Sequence, residues 1–230
     1  MRIIKFHGIS FFSGSYTEIK RKINRGGILV APAASALSQI TIDRNYYNAL
    51  KKSDVAILDS GFFCILLRIF KRENVIKLSG FLFLSRFLNE KIYGKILLIN
   101  PSKISEKLNS KFLKSKGIKN FKNYLAPFYK LNIRDVKLLK LIKIYKPRYI
   151  IINLGGGTQE RVGLYIKNNI NFNTCIFCTG AAIAFMTGEQ APINKFVDRL
   201  YLGWFIRFLW NPIKNFKRTI QSLGLIKFFI

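Results

Sequence analysis

Residues 149–163, YIIINLGGGTQERVG, decide the fold of this chain. The apolar run Tyr149–Leu154 predicts a buried strand, and a glycine turn follows it. Thr158 offers an N-cap hydroxyl, and Gln159 and Glu160 fall in the first turn of the helix that comes next. A strand, a glycine turn and a helix N-terminus bring backbone N–H groups to one point, which suits an anion such as a diphosphate. The simpler alternative is a tight turn that needs glycine for its backbone angles.

Short apolar strands alternate with helices along most of the chain. The predicted strands are Gly27–Val30, Val55–Leu58, Lys95–Asn100, Tyr149–Leu154 and Thr174–Cys178. The predicted helices are Thr17–Ile23, Asp43–Lys51, Phe62–Phe70, Ser85–Glu90, Ile104–Ser115, Val136–Ile144 and Arg161–Asn168. This alternation predicts an α/β fold: a Rossmann-like, largely parallel sheet with helices on both faces.

Polar residues follow several of these predicted strands directly. Asp59 follows Val55–Leu58, the segment Asn100-Pro101-Ser102 ends the Lys95–Asn100 strand, and Gly155–Thr158 follows Tyr149–Leu154. Ligands of parallel sheets bind beyond the carboxyl ends of the strands. We therefore expect these residues to line one ligand crevice.

Asp59 is the carboxylate best placed for chemistry, since it stands where an apolar strand ends and a helix begins. Partial desolvation would raise its pKa and let it act as a general base. The alternative role is a helix N-cap, which aspartate fills often. Lys77 is a candidate partner for a phosphate, although the chain holds many other lysines.

The charge balance is extreme, with 39 Lys and Arg against 11 Asp and Glu and a formal net charge of +28 in 230 residues. Such a surface attracts nucleic acid, anionic lipid and phosphorylated substrates. The plentiful Lys, Ile, Asn and Phe also fit an A+T-biased genome, in which case part of the charge reflects composition alone.

The cysteine and histidine content excludes several classes of site. The Cys175-x-x-Cys178 pair lies in an apolar run that predicts a buried strand, where cysteine behaves as a small hydrophobe. No second cysteine pair or histidine cluster completes a zinc site, so we expect no metal and no cofactor. His7 is the single histidine, which argues against Ser–His–Asp and Cys–His catalysis.

The N-terminus has neither a long apolar core nor a small-residue cleavage site, so we expect no signal peptide. No run reaches the ~20 apolar residues of a membrane-spanning helix. We expect a protein of the reducing cytoplasm, with membrane contact at the periphery only.

The C-terminal segment differs in character from the rest. Residues 199–230 combine aromatic, aliphatic and basic side chains and contain no acid, which fits a surface in a lipid headgroup layer. The alternatives are that this segment covers the core or that it binds RNA. We predict a Rossmann-like domain over 1–195 and a C-terminal basic and aromatic helical appendage over 196–230. The appendage residues predicted to contact the acceptor and the membrane are Trp204, Arg207, Lys214 and Arg218.

Several segments together resemble the WecG/TagA/CpsF family of bacterial glycosyltransferases. They are Asp54–Gly61 (DVAILDSG), Val75–Gly80 (VIKLSG), Leu154–Glu160 (LGGGTQE), Cys178–Phe185 (CTGAAIAF), Gly188–Trp204 (GEQAPINKFVDRLYLGW) and the tail Arg207–Arg218. The resemblance runs in order over roughly residues 25–220.

The resemblance implies transfer, with inversion, of N-acetylmannosamine or a related sugar from a UDP donor to a polyprenyl-diphosphate-linked acceptor. This transfer would take place at the cytoplasmic face of the membrane, as a step of surface polysaccharide synthesis. The resemblance implies that Asp59 corresponds to the family's proposed general base and that Gln159 corresponds to a glutamine near the donor. Lys77 falls where the family usually has an arginine that is thought to bind the diphosphate. The C-terminal segment matches an appendage held to the membrane and thought to close over the site.

Combining the residue pattern with the resemblance gives a set of candidate site residues. The predicted catalytic residue is Asp59. The residues predicted to bind the donor and its phosphates are Gly155, Gly156, Thr158, Gln159, Glu160, Lys77 and Asn100. The predicted partners are the UDP-sugar, the lipid-linked acceptor and an anionic membrane surface, without a specific nucleic acid.

The chain departs from the family pattern where sugar and acceptor should be recognised. The Thr-x-Asn element expected near Ala31–Ala36 keeps only Ser35 as a side-chain hydrogen-bonding group, and Gly157 replaces a proline. The Arg-Ala-Pro element reads Gln190-Ala191-Pro192, and Gly203 replaces a glutamate. A catalytically inactive relative is therefore one alternative.

Two other classes of protein remain as alternatives. A polyanion- or nucleic-acid-binding protein fits the charge but shows none of the common recognition motifs. A dinucleotide-dependent oxidoreductase would need G-x-G-x-x-G, and the glycine spacing here differs. The oligomeric state is left open, with a homo-oligomer among the alternatives.

Overall fold

An eight-stranded sheet forms the centre of the computed structural model, which describes residues 1–190, 209 and 212–230. Its strands are β1 (Arg2–Phe6), β2 (Ile9–Ser13), β3 (Gly27–Val30), β4 (Val55–Ile57), β5 (Ile96–Asn100), β6 (Phe121–Leu125), β7 (Tyr149–Ile152) and β8 (Cys175–Cys178). They lie in the order β1-β2-β4-β3-β8-β7-β5-β6. Only the β1–β2 pair is antiparallel, so the strands from β2 to β8 all end at one edge, the carboxyl edge.

Helices cover both faces of this sheet. They are α1 (Tyr16–Ile23), α2 (Ala34–Leu37), α3 (Arg44–Lys51), α4 (Gly61–Lys71), α5 (Gly80–Leu88), α6 (Lys103–Ser115), α7 (Val136–Tyr145), α8 (Thr158–Asn169), α9 (Ala182–Met186) and α10 (Pro212–Leu223). Helices α1, α5, α6 and α9 bury apolar side chains on one face, and α2, α3, α4, α7 and α8 do so on the other. The predicted α/β, Rossmann-like architecture is confirmed.

The apolar pattern does not reveal the two edge strands, β1 and β6, or the inner strand β2 that pairs with β1. The β1–β2 hairpin turns at His7 and Gly8, whose φ angles are 45° and 74°, and two left-handed residues are what a tight two-residue hairpin requires. Strand β6 is the opposite edge strand and is only half-buried. Because edge strands bury less apolar surface, their sequences carry a weaker signal.

Two helices begin earlier than the sequence predicts. Helix α5 starts at Gly80 rather than near Ser85, because the Ser79 hydroxyl caps it by accepting the Leu82 N–H at 3.0 Å. Helix α8 starts at Thr158, three residues before the predicted span Arg161–Asn168 and one residue before the start that an N-cap at Thr158 implies. Both starts therefore lie at the carboxyl edge, beside the crevice.

The two cysteines of the Cys-x-x-Cys pair are structural. Both lie on β8 as free, buried cysteines, and they belong to the apolar clusters on opposite faces of the sheet. Side chains three positions apart on a strand point to opposite faces, so the two sulfur atoms cannot share a ligand.

The C-terminal residues return to the α/β core. Helix α10 packs against α2, Leu225 is fully buried, and the Phe229 ring lies 5.1 Å from that of Phe6. The predicted domain boundary between residues 195 and 196 lies outside the described residues and stays a prediction. Among the described residues, no helix is both long and apolar enough to span a bilayer.

The contact between α8 and β8 generates a stability prediction. A Cβ at Gly163 would lie 3.0 Å from the Cys178 sulfur and 3.5 Å from a methyl of Ile176. We expect Gly163→Val to lower the free energy of unfolding by about 2 kcal/mol through overpacking, measured by urea denaturation. The control is Asn168→Val, which places the same side chain on the exposed part of the helix. Equal losses in the two variants would mean that close packing against β8 does not explain the glycine.

Candidate active site

A cavity of about 610 Å³ opens at the carboxyl edge of the sheet. Segments that follow β3, β4, β5, β7 and β8 contribute to its walls, and α10 closes one side. Its position follows from the topology, since parallel strands deliver the ends of all these segments to one edge. The lining residues include Ala33, Ser35, Asp59, Lys77, Asn109, Asn153, Gly155, Gly156, Gln159, Thr179, Gly180 and Arg218.

Asp59 lies in the cavity wall two residues beyond β4 and is half-buried. It is not the cap of the helix that follows, because the Ser60 hydroxyl fills that position by accepting the Phe63 N–H at 3.2 Å. Instead, Asp59 Oδ1 accepts the N–H of Gly80, the first residue of α5, at 2.8 Å. The N-terminal end of α5, the positive end of the helix dipole, therefore faces this carboxylate.

Lys77 lines the cavity on the segment that leads from α4 to α5. Hydrogen bonds fix this segment on both sides of the lysine. The Ile76 N–H donates to Ser13 Oγ at 2.8 Å, and the Leu78 N–H donates to the Leu58 carbonyl at 3.2 Å. The second bond ties the lysine segment to the residue that precedes Asp59.

The glycine turn forms another part of the cavity wall. Gly155 and Gly156 are exposed, line the cavity, and have backbone N–H groups without a hydrogen-bond partner among the described residues. Gly157 alone has a positive φ, of 88°. The turn thus combines the two interpretations of its sequence: one glycine serves the backbone angle, and two present N–H groups to the cavity.

The predicted N-cap role of Thr158 is wrong. Gly157 occupies the N-cap position, and the Glu160 carboxylate reaches back to accept the Gly157 N–H at 2.7 Å. The Thr158 hydroxyl accepts from the Arg161 guanidinium at 3.3 Å instead and does not line the cavity. A glutamate three residues into the helix performs the capping because a glycine has no side chain to offer.

Gln159 and Glu160 connect the two turns beside the cavity. Both side chains are 1% exposed. Gln159 Nε2 donates to Glu160 Oε1 at 2.9 Å, and Gln159 Oε1 accepts the N–H of Gly180, beyond β8, at 2.8 Å. Glu160 lies behind the wall rather than in it. Burial raises its pKa to about 7, against the opposing effect of its hydrogen bonds.

Asn100 is fully buried beneath the cavity and is not part of its wall. Its Oδ1 accepts from the side chains of Asn109 at 2.8 Å and Asn153 at 3.0 Å, while its Nδ2 donates to Asn123 at 2.9 Å. Asn109 and Asn153 do line the cavity, and the carbonyl oxygens of both amides have no partner among the described residues. The predicted contact of Asn100 with the donor would therefore be made through its two neighbours.

The sequence gives little sign of these neighbours. Asn153 directly precedes the predicted strand end, but Asn109 lies in the middle of α6 and reaches the crevice only through the packing of that helix. Thr179 is another lining residue that was not predicted, and its hydroxyl has no hydrogen-bond partner among the described residues.

The residues predicted for the acceptor and the membrane are only partly described. Arg218 lies on α10, is exposed and lines the cavity. Trp204, Arg207 and the side chain of Lys214 lie outside the described residues. The described residues contain no group of three or more His, Cys, Asp or Glu side chains arranged for a metal ion.

The fold and the cavity define an α/β protein whose ligand crevice brings together a carboxylate, a lysine and a glycine turn that opens a helix. The model of the glycosyl transferase WecG/TagA/CpsF family matches residues 4–230. The chain therefore belongs to this family of glycosyltransferases of cell-surface polysaccharide synthesis. A comparison with curated proteins gives no match.

The burial of Glu160 generates a prediction about pH and stability. The unfolded carboxyl ionises near 4.5 and the folded one near 7, so the folded state keeps its proton over that range while the unfolded state loses it. Stability should therefore fall as the pH rises through this range, by a few kcal/mol, at about 1.4 kcal/mol for each pKa unit. Glu160→Gln should flatten this dependence in urea denaturation between pH 5 and pH 8.

The control is Glu106→Gln, which changes a first-turn glutamate of α6 that is not buried. It should leave the slope of stability against pH as it is in the parent protein. A slope that survives in Glu160→Gln would show that another group carries it.

Proposed function

We propose that this glycosyltransferase moves an N-acetylmannosamine-type sugar from a UDP donor to a polyprenyl-diphosphate-linked acceptor, with inversion at the anomeric carbon. The observation that carries the proposal is the meeting of Asp59, Lys77 and the Gly155–Gly156 turn at one cavity, although they lie far apart in sequence. A base and a phosphate-binding element in one crevice are what a single displacement requires.

Asp59 is the proposed general base. Its carboxylate takes the proton of the acceptor hydroxyl as that oxygen forms its bond to the anomeric carbon and the bond to the UDP oxygen breaks. The electron pair of the broken bond leaves with UDP. The hydrogen bond from Gly80 orients the carboxylate and leaves the base on the surface of the cavity.

The charge that develops on UDP needs stabilisation, and other parts of the cavity wall offer it. The Gly155 and Gly156 N–H groups lie just before the N-terminus of α8, where the helix dipole favours an anion. Lys77 and Arg218 supply positive charge from two other sides of the cavity. Gln159 holds the turn in place through Gly180.

The acceptor carries a lipid, so the enzyme would work as a peripheral protein at the cytoplasmic face of the membrane. Helix α10 supports this assignment because it exposes Phe216, Ile220 and Leu223 together with Lys217 and Arg218. An apolar and basic helix of this kind suits a lipid headgroup layer. The predicted contacts Trp204, Arg207 and Lys214 would extend the same surface.

A polyanion-binding protein without catalysis is the second candidate, and the net charge of +28 favours it. Binding to nucleic acid would weaken steeply with salt through counterion release. This candidate assigns no role to Asp59, so substitution of that residue separates the two functions.

Asp59→Asn is expected to lower the rate of sugar transfer by about 10² to 10⁴, because the amide cannot accept the proton. Its Oδ1 can still accept the Gly80 N–H, so the fold and UDP affinity should persist. The measurement is acceptor-dependent UDP release from a panel of UDP-N-acetylhexosamines and UDP-uronic acids, with a polyprenyl-diphosphate-GlcNAc analogue. UDP affinity is measured separately by calorimetry.

The matched control is Asp43→Asn, the same chemical change at the N-cap of α3, where asparagine caps equally well. It should transfer sugar at the parental rate. Full activity in Asp59→Asn would remove the base from the mechanism, and failure of UDP to bind at all would favour the polyanion-binding candidate.

A further inference from the structure

The loop between β6 and α7, residues 126–134, presents large apolar side chains to solvent. Phe128 is 95% exposed and Leu131 is 65% exposed. The loop follows a parallel strand, so it lies at the carboxyl edge, the edge at which the cavity opens. A contiguous group of exposed apolar side chains is a candidate interaction surface.

The loop is held in this conformation by its other side chains. The Tyr129 hydroxyl donates to the buried carboxylate of Asp135 at 2.6 Å, and the Asp135 N–H donates to the Tyr165 hydroxyl at 3.0 Å. Tyr129 and Ile133 also pack against the apolar cluster of the core. With these residues turned inward, Phe128 and Leu131 are directed outward.

The same loop is joined to the cavity wall. The Arg161 guanidinium donates to the Leu131 carbonyl at 3.1 Å and to the Gly157 carbonyl at 3.0 Å. One side chain thus connects the loop to the glycine turn. On its other side, Asn45 donates to Asn132 at 3.4 Å, which brings the start of α3 beside the loop.

The start of α3 adds a third apolar side chain, Ile42, which is 72% exposed. We call Ile42, Phe128 and Leu131 the apolar rim. Exposed Arg44, Lys130 and Arg134 lie within three positions of these residues in the chain. The two nearby carboxylates are engaged in hydrogen bonds within the protein: Asp43 caps α3, and Asp135 is buried beneath the tyrosines.

We propose that the apolar rim is a docking surface for an anionic lipid bilayer, in addition to the surface of α10. Its chemistry is complementary to such a bilayer: apolar side chains enter the acyl boundary while the flanking cations meet the anionic headgroups. The proposal rests on the proposed function, because docking at this surface would bring the mouth of the cavity to a lipid-linked acceptor. The experiments below test vesicle binding separately from sugar transfer.

The test compares two double variants in sedimentation with phosphatidylglycerol–phosphatidylcholine vesicles. Phe128→Ser with Leu131→Ser should weaken partitioning at least about tenfold, since burial of one large apolar side chain already corresponds to roughly that factor. The control is Tyr93→Ser with Ile144→Ser, side chains that are each 70% exposed at the opposite edge of the sheet. Lys91 and Lys143 lie beside them, so the local charge is similar.

The control pair should bind vesicles as the parent protein does, and neither pair should change the thermal midpoint, because all four side chains face solvent. Equal binding by the parent and the rim variant would overturn the proposal. A rim variant that alters only the oligomeric state in sedimentation velocity would also overturn it and would assign the face to a second copy of the chain.

A second measurement does not depend on loss of binding. Phe128→Trp should add a fluorescence signal that brominated acyl chains quench, beyond the quenching of the parental tryptophans, and an unquenched signal would overturn the proposal. Asp59→Asn should keep full vesicle binding, and the rim variant should keep UDP release with a short-chain, water-soluble acceptor. Failure of the docking surface and failure of the proposed catalysis therefore give different results.

Discussion

The burial of the parallel sheet on both faces is the constraint on which the rest of this structure depends. Strands β3, β7 and β8 lie between two layers of helices, so their inner positions accept only apolar side chains. Polar groups are confined to the strand ends, where the carboxyl edge is open. Asp59, Asn153 and Thr179 all lie there, and the parallel direction of the strands collects them around one cavity.

Hydrogen bonds between loops then set the shape of that cavity. Gln159 joins the turn after β7 to the turn after β8, and Asp59 joins the end of β4 to the start of α5. Each bond ends on a backbone N–H at a turn or a helix start, a group that would otherwise lack a partner. The polar side chains of the site therefore stabilise the fold and also face the crevice. Glu160 contributes to the stability of the turn only, because it is buried behind the cavity wall.

The chain belongs to a glycosyltransferase family and is strongly basic, yet the wall of its cavity includes the carboxylate of Asp59. The positive charge lies largely on the outer surface, where it suits phosphorylated and lipid partners. The segment after β3, residues 31–36, carries Ser35 as its single polar side chain. Asn109 and Asn153 line the same cavity, and their side-chain carbonyl oxygens have no partner in the described part of the chain.

The sequence by itself determined the alternation of central strands and helices, the carboxyl-edge position of Asp59, and the glycine turn, because buried parallel strands and glycine turns leave strong local patterns. It did not reveal the edge strands β1 and β6, which bury little apolar surface, nor β2, an inner strand that pairs with β1 and β4. It also placed the cap of α8 on Thr158 rather than Glu160. Only the tertiary structure brought Asn109 and Arg218 to the cavity, and only it set the loop of Phe128 and Leu131 beside the start of α3. These residues lie on elements whose positions depend on packing, and no local sequence pattern specifies which helices and loops become neighbours in space.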